Sequence, residues 1–380
     1  MVSHFSFAQQ RVLIIAPHPD DESLATGGLI QRAVKEGAQV QVLFVSDGDN
    51  NPWPQRFVER RWRIGENERK RWGARRRQEA LAALRVLGLS RSRAHFLGLP
   101  DQGTTPALMH AGASFLAALI KGLKTCRPTL LVSPSPHDVH PDHNAFAVLM
   151  SLALRRVAPA VAPRVIHYLV HKRKQHLPTP RWSLRLTPDE QAAKREAILQ
   201  HGSQMALSRK RFVAYARPVE YFYPPEAVDP THPLRQVWLE DGALVVRVQP
   251  AAVAARQGEL FVAFESPLQG SVRWRIPVPP KPGIVRIHDA ITGRLLRSAT
   301  IRRAGRVLEL RLPVSLMLPV QRIALKFNRR IAFYDEAGWC EFAMPSIDSH
   351  LCSETPSAAT SSSFSSFALS SFGGVSAASD

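Results

Sequence analysis

A chain of 380 residues with 45% hydrophobic and 21% charged positions has the composition of a folded protein with room for two cores, which excludes a disordered chain. Its 50 Lys and Arg against 31 Asp and Glu give a formal net charge of +19, so anionic surfaces such as phosphorylated glycans, acidic lipid headgroups or nucleic acid should attract it. Three widely spaced cysteines, Cys126, Cys340 and Cys352, include no CxxC pair, which argues against a disulfide framework or a thiolate zinc site and for a reducing, cytoplasmic compartment.

The opening Met1-Val2-Ser3-His4-Phe5-Ser6 lacks the basic start of a signal peptide. Short β-rich runs at residues 11–16, 39–45, 93–97, 129–133 and 164–170 then alternate with helical patterns at 23–36, 74–87, 107–125 and 142–156. This alternation predicts an α/β fold: a Rossmann-like, mostly parallel sheet with helices on both faces. Ser23 is the expected cap of the first helix, and Gly27-Gly28 within it is costly unless something packs closely there. The most apolar stretches, 116–120 and 145–154, meet Lys121 and Arg155-Arg156 well short of the roughly 20 residues of a membrane span, so they read as buried helices. Thr187-Pro188-Asp189-Glu190 opens a further helix over 187–204.

After Pro218 the character changes to short strand-like runs at 236–240, 243–248, 260–265, 271–276, 283–289, 306–312 and 321–327, which predict a C-terminal all-β sandwich domain. The serine-rich end reads as a flexible tail. The expected division is therefore 1–225, 233–345 and 350–380.

Two clusters carry the chemistry. Pro17-His18-Pro19-Asp20-Asp21-Glu22 follows the first apolar run, and His137-Asp138-Val139-His140-Pro141-Asp142-His143 follows Leu130-Leu131-Val132. Strand ends are where open α/β sheets place their sites. A water-activating metal needs about three nitrogen and oxygen ligands and an open position, and His18, Asp21 and His143 are the candidates.

With these residues the chain resembles the PIG-L/LmbE family of zinc-dependent N-acetylglucosaminyl deacetylases over about residues 10–205. Arg76-Arg77-Gln78-Glu79, the Leu97-Gly98-Leu99-Pro100-Asp101 turn and the Lys194 to Gln204 stretch extend the likeness. The β-rich region lies outside it. The resemblance implies His18, Asp21 and His143 as ligands of Zn²⁺, and leaves Asp20 free as general base. Attack of a zinc-bound water would then remove the N-acetyl group of an amino sugar, including glycan-precursor or lipid-linked forms. In that scheme a protonated His140, oriented and charged by Asp142, stabilises the oxyanion. Two histidines and a carboxylate also describe an Fe²⁺ site, and only the resemblance tilts the choice to zinc.

Glu22 and Asp138 are read as substrate contacts, and Arg76, in the family's arginine position before Glu79, as a holder of substrate phosphate. The arginine- and tryptophan-rich stretch from Arg60 to Arg77 is either a solvated helical face or a rim that meets an anionic, carrier-linked substrate or an anionic membrane. Nucleic acid is the weaker candidate because no recognition module is present, and the oligomeric state stays open. The alternatives to sugar deacetylation are cleavage of a different amide conjugate and non-catalytic glycan or phosphate binding.

Overall fold

The computed structural model describes residues 6–110, 112–157, 162–171, 179–225, 232–249, 258–266, 270–305, 307–313, 315, 320–328, 335 and 337–344. Five strands, β1 (Arg11–Ala16), β2 (Gln39–Ser46), β3 (Ala94–Leu99), β4 (Leu130–Pro134) and β5 (Arg164–Tyr168), form a parallel sheet in the order β3-β2-β1-β4-β5. The helices are α1 (Asp21–Lys35), α2 (Pro52–Glu59), α3 (Glu66–Val86), α4 (Thr104–His110), α5 (Gly112–Cys126), α6 (Pro141–Leu154), α7 (Pro188–Leu199) and α8 (Gly202–Val213).

After Arg11, β1 is apolar at every position because both of its faces are covered. Val12, Ile14 and Ala16 enter one core with residues of α1, α3 and α7, while Leu13 and Ile15 enter a second core with residues of α5 and α6. The chain winds outward from β1 to β2 and β3, then returns to place β4 on the other side of β1. The loops after β1 and β4 therefore leave in opposite directions and open a crevice, the position at which such sheets bind ligands.

Several local expectations change. The pattern over 107–125 is two helices, α4 and α5, and 187–204 is broken between α7 and α8. Helix α2 was not anticipated, because a segment with prolines at positions 52 and 54 reads as a turn, yet proline is at home in a first helical turn. Ser23 does not cap α1: Asp20 holds the cap position, and the Ser23 hydroxyl donates to Glu22 instead. Thr187 does cap α7, its hydroxyl accepting from the Glu190 amide at 3.2 Å while Glu190 accepts from the Thr187 amide at 2.9 Å. Gly28 is required by close packing, since a Cβ there would stand 2.1 Å from a methyl carbon of Leu186.

A two-stranded ribbon, β6 (Trp182–Arg185) with β7 (Val219–Phe222), precedes the β-rich part. There β8 (Leu234–Glu240), β9 (Ala243–Val248), β10 (Gly258–Ser266), β11 (Gly270–Val278), β12 (Gly283–Asp289), β13 (Leu295–Ala304), β14 (Val307–Pro313), β15 (Arg322–Asn328) and β16 (Cys340–Ala343) form an antiparallel sheet in the order β16-β15-β10-β11-β12-β13-β14-β9-β8. Strand β8 also approaches β15, so the sheet curls nearly to closure. Phe261, Ala263, Ala290, Ala324 and Trp339 from this part share the core of Leu13, Ile15 and α6, and Met1–Pro345 make one compact unit. The change of character after Pro218 is thus a change of secondary structure across which the core continues. The tail expected over 350–380 lies outside the described residues. Among the described residues, no single helix is long and apolar enough to cross a membrane.

Candidate metal centre

The crevice between the ends of β1 and β4 brings His18, Asp21 and His143 together across more than a hundred residues of sequence. Asp21 Oδ2 lies 3.3 Å from His18 Nδ1 and 3.1 Å from His143 Nε2, and the two ring nitrogens are 3.3 Å apart. Nitrogen and oxygen donors about 2.0–2.1 Å from a tetrahedral cation stand about 3.3 Å from one another, so the triangle matches one face of such a site. His140 is close enough to His18 and His143 to form an overlapping group of donors.

Each histidine has a carboxylate behind it. Asp142 Oδ2 is 3.1 Å from His18 Nε2, and Asp101 Oδ1 is 3.2 Å from the same nitrogen. Asp142 is itself fixed by the amides of Gln102 at 2.7 Å and Thr104 at 3.0 Å, at the start of α4. On the other side, Asp138 Oδ2 is 3.2 Å from His143 Nδ1 and accepts from the amides of Val170 and His171, both at 3.1 Å. Its other oxygen accepts from the His140 amide at 2.8 Å. Carboxylates so placed set the ring orientation and tautomer of a metal-binding histidine. Burial opposes charge on His143, yet Asp21 and Asp138 on its two sides lift it to about 10, and the same opposition between burial and Asp101 leaves His18 raised.

This arrangement corrects five expectations. Asp138 is fully buried behind His143, with both oxygens engaged, and does not reach substrate space. Asp142 holds His18 rather than His140; only its backbone amide reaches His140, donating to Nδ1 at 3.2 Å. His140 is therefore a neutral imidazole: burial and the neighbouring His18 and His143 hold it well below the usual histidine range. Glu22 is buried too, accepting from the Asp20 amide at 3.0 Å and the Ser23 hydroxyl at 2.6 Å and lying 3.0 Å from His201 Nε2, so it touches no sugar hydroxyl. The Arg76 guanidinium points inward, donating to Asp20 at 2.9 Å and to the carbonyls of Pro19 and Gly48 at 2.8 Å each, which leaves it engaged with protein rather than phosphate.

Asp20 sits beside the ligands with φ at 151°, a conformation that non-glycine residues rarely adopt and that the surrounding bonds must hold. Burial pushes its carboxyl up to about 6, with Asp21 adding to the rise and Arg76 restraining it. A carboxyl in that range can both take and return a proton near neutrality.

A cavity of about 480 Å³ opens on the centre, lined by Asp20, Trp53, Gln102, His140, Gln204 and Arg211 among others. Trp53 and Arg211 at its wall escaped the sequence reading because nothing in their immediate sequence marks them. Asp101 carried a signal, the Leu97-Gly98-Leu99-Pro100 turn that delivers it. Most of the arginine-rich stretch is solvated: Arg61 pairs with Glu68, Lys70 with Glu66 and Arg71 with Glu59. Trp72 is buried, whereas Trp53 and Trp62 are exposed and flank the Arg56 guanidinium at 5.0 Å each.

Residues 13–154 match the family model described as PIG-L, GlcNAc-PI de-N-acetylase. Curated relatives are 1D-myo-inositol 2-acetamido-2-deoxy-alpha-D-glucopyranoside deacetylases. The protein of that name from Rhodococcus jostii is 29% identical over 170 residues, covering 41% of this chain and 57% of its own. The one from Mycolicibacterium vanbaalenii is 34% identical over 152 residues, covering 35% and 50%. The chain thus spans little more than half the length of these relatives. Among solved structures, the N,N'-diacetylchitobiose deacetylase of Pyrococcus horikoshii aligns with a TM-score of 0.41 at 22% identity, over 56% of this chain and 82% of its own. With both strand-end clusters inside the matched region, residues 13–154 are a PIG-L family domain.

Proposed function

We propose that the protein is a metal-dependent N-deacetylase that removes the acetyl group of an N-acetylated amino sugar, with zinc as the ion and Fe²⁺ as the alternative. The observation that carries this reading is the triangle of His18, Asp21 and His143, with edges of 3.1 to 3.3 Å, opening beside Asp20 onto a cavity. The relatives' name describes an acetamido sugar carried on inositol, which supports that substrate class.

A divalent cation held by His18, Asp21 and His143 supplies a Lewis acid for the amide carbonyl and lowers the pKa of water. Asp20, raised toward neutrality, takes the proton from the attacking water and returns it to the leaving amine. Arg76 fixes the Asp20 carboxyl in place while its own guanidinium stays buried. Accepting at Nδ1 leaves His140 its Nε2 proton, so the neutral ring donates a hydrogen bond to the oxyanion. Asp142 and Asp138 keep the two ligand rings aimed.

Carrier-linked and anionic forms of the substrate belong to the same reading, with Arg211 rather than Arg76 meeting the negative charge. Arg211 is exposed, lines the cavity, and has no carboxylate partner among the described residues. Exposed Trp53, which lines the same cavity, and exposed Phe57 and Trp62 suit peripheral contact with an anionic membrane. The deciding experiment is acetate release from a panel of N-acetylhexosamine derivatives by metal-analysed protein. Turnover of at least one sugar, abolished by chelation and restored by Zn²⁺ or Fe²⁺, is expected; hydrolysis confined to non-sugar amides would replace the sugar by another conjugate.

A further inference from the structure

The C-terminal part buries two charged side chains, one of them on a strand. Lys326 on β15 is almost fully buried and pairs with buried Asp335, which lies outside any strand. The same Asp335 carboxylate accepts from the Asn144 side-chain amide at 2.7 Å, and that amide also donates to the Asp138 carbonyl at 2.9 Å. The Asp335 amide donates to the Val139 carbonyl at 2.9 Å, and the Trp339 amide to the Pro136 carbonyl at 2.8 Å. The approach leaves no space: a Cβ on Gly338 would stand 1.8 Å from the Pro136 carbonyl oxygen. Asp335, Gly338 and Trp339 therefore lie directly on the loop that carries Asp138 and leads into His143.

We propose that the Lys326–Asp335 pair is a positioning device by which the C-terminal sheet sets the metal centre, acting through Asn144 on Asp138 and so on His143. The inference rests on the metal-centre reading above. A buried ion pair contributes little net stability, because desolvation offsets the attraction, so a pair retained only for stability is readily replaced by apolar side chains. What this pair adds is an anionic acceptor for Asn144, at a point one residue from a ligand. Asn144 in turn spans Asp335 and the backbone of Asp138, and the Asp138 carboxylate stands 3.2 Å from His143 Nδ1. Lys326, in line with the same Asn144 at 3.4 Å from Oδ1, fixes which way the amide is turned.

The test uses the full chain with Co²⁺ as the probe, reading both the affinity under chelator competition and the visible absorption of the bound ion. K326M/D335N removes both charges but keeps an oxygen acceptor for Asn144, and is expected to bind Co²⁺ more weakly than wild type but clearly more tightly than K326M/D335L. K326M/D335L removes the acceptor as well, and should bind Co²⁺ about 10- to 100-fold more weakly with a changed spectrum, the size of effect known for lost partners behind a ligand. Should that variant fold poorly, Asn144→Ala, which leaves the ion pair in place, is expected to show the same loss. Ile301→Ala, which opens a gap in β13, serves as the control for general destabilisation and should leave Co²⁺ affinity unchanged. Equal binding by the two double variants, or equal weakening by Ile301→Ala, would overturn the proposal. Retention of Co²⁺ by His18→Ala would instead overturn the metal-centre reading itself, and with it this inference.

Discussion

Residues 17–22 and residues 135–143 deliver their side chains to one point by different means. The first loop is short and turns through Asp20 at a φ of 151°, a conformation that costs on the order of 1–3 kcal/mol and survives only where its surroundings enforce it. That enforcement is electrostatic and comes from the parallel-sheet half: Arg76 from α3 holds the Asp20 carboxyl, and Glu22, itself paired with His201, holds the Asp20 amide. The second loop has no residue at positive φ and is held by ordinary hydrogen bonds, to Asp138 from three backbone amides and to its carbonyls from the amides of Asp335 and Trp339. Strain thus sits at the proton-handling residue, and the carboxylate behind His143 is held by backbone amides. The proton-handling residue and two ligands share the strained loop, while the third ligand is braced from the other.

The strongest way to break this division is to remove a ligand from the strained loop. His18→Ala is expected to lose both bound metal and turnover, measured by elemental analysis and acetate release, because two remaining donors do not make a tetrahedral face. Asp20→Ala should retain metal and lose about 10²- to 10⁴-fold in kcat, the ordinary size of a general acid–base contribution. An Asp20→Ala protein that kept full activity would remove proton transfer from this loop and with it the reason for its strain.

Both clusters were legible because each followed a recognisable strand and consisted of side chains that bind metals. What each residue does was less so. Asp142 lies next to His143 and two residues from His140, so chain proximity tied it to His140, while the first turn of α6 carries its carboxylate across to His18. Arg76 read as an anion holder because arginine usually is one, and only the fold shows a carboxylate and two carbonyls already waiting for it. The strand β13 was missed since Arg297, Arg302 and Arg303 interrupt its apolar pattern, although Ala299 and Ile301 face the core. The hold of Asp335 on Asn144 joins positions 191 residues apart, and no local pattern encodes a contact of that range.

Acid should loosen the second loop through a group at its base. His167 on β5 is buried, its Nδ1 2.9 Å from the Pro134 carbonyl, and burial depresses it from 6.5 to about 4. Above pH 6.5 it is neutral folded or unfolded and contributes no pH dependence. As pH falls through 6.5 the unfolded chain takes a proton that the folded chain refuses until about pH 4, so stability declines across that window. The loss amounts to about 3 kcal/mol once complete. Denaturant melts between pH 7 and 4 should show this slope in wild type and a flatter one in His167→Gln; parallel slopes would move the acid-sensitive group elsewhere.

The smaller effects separate the inner arginine from the outer one. Arg76→Met leaves Asp20 buried without its cation, and should lower kcat by up to about 100-fold through misplacement of the carboxyl, with KM and metal content little changed. A raised KM with unchanged kcat would restore Arg76 as a substrate contact. Arg211→Gln should do the opposite, raising KM for a phosphorylated substrate by up to about fivefold while leaving kcat alone, since an exposed charge contributes at most about 1 kcal/mol. That rise should shrink as salt is added, because the interaction it removes is screened over about 10 Å at 0.1 M ionic strength. For an uncharged N-acetylhexosamine neither Arg211→Gln nor salt should change KM. A salt-insensitive KM for the phosphorylated substrate would return the arginines at the cavity mouth to the role of a solvated surface, and leave specificity to Trp53 and Gln204 at the wall.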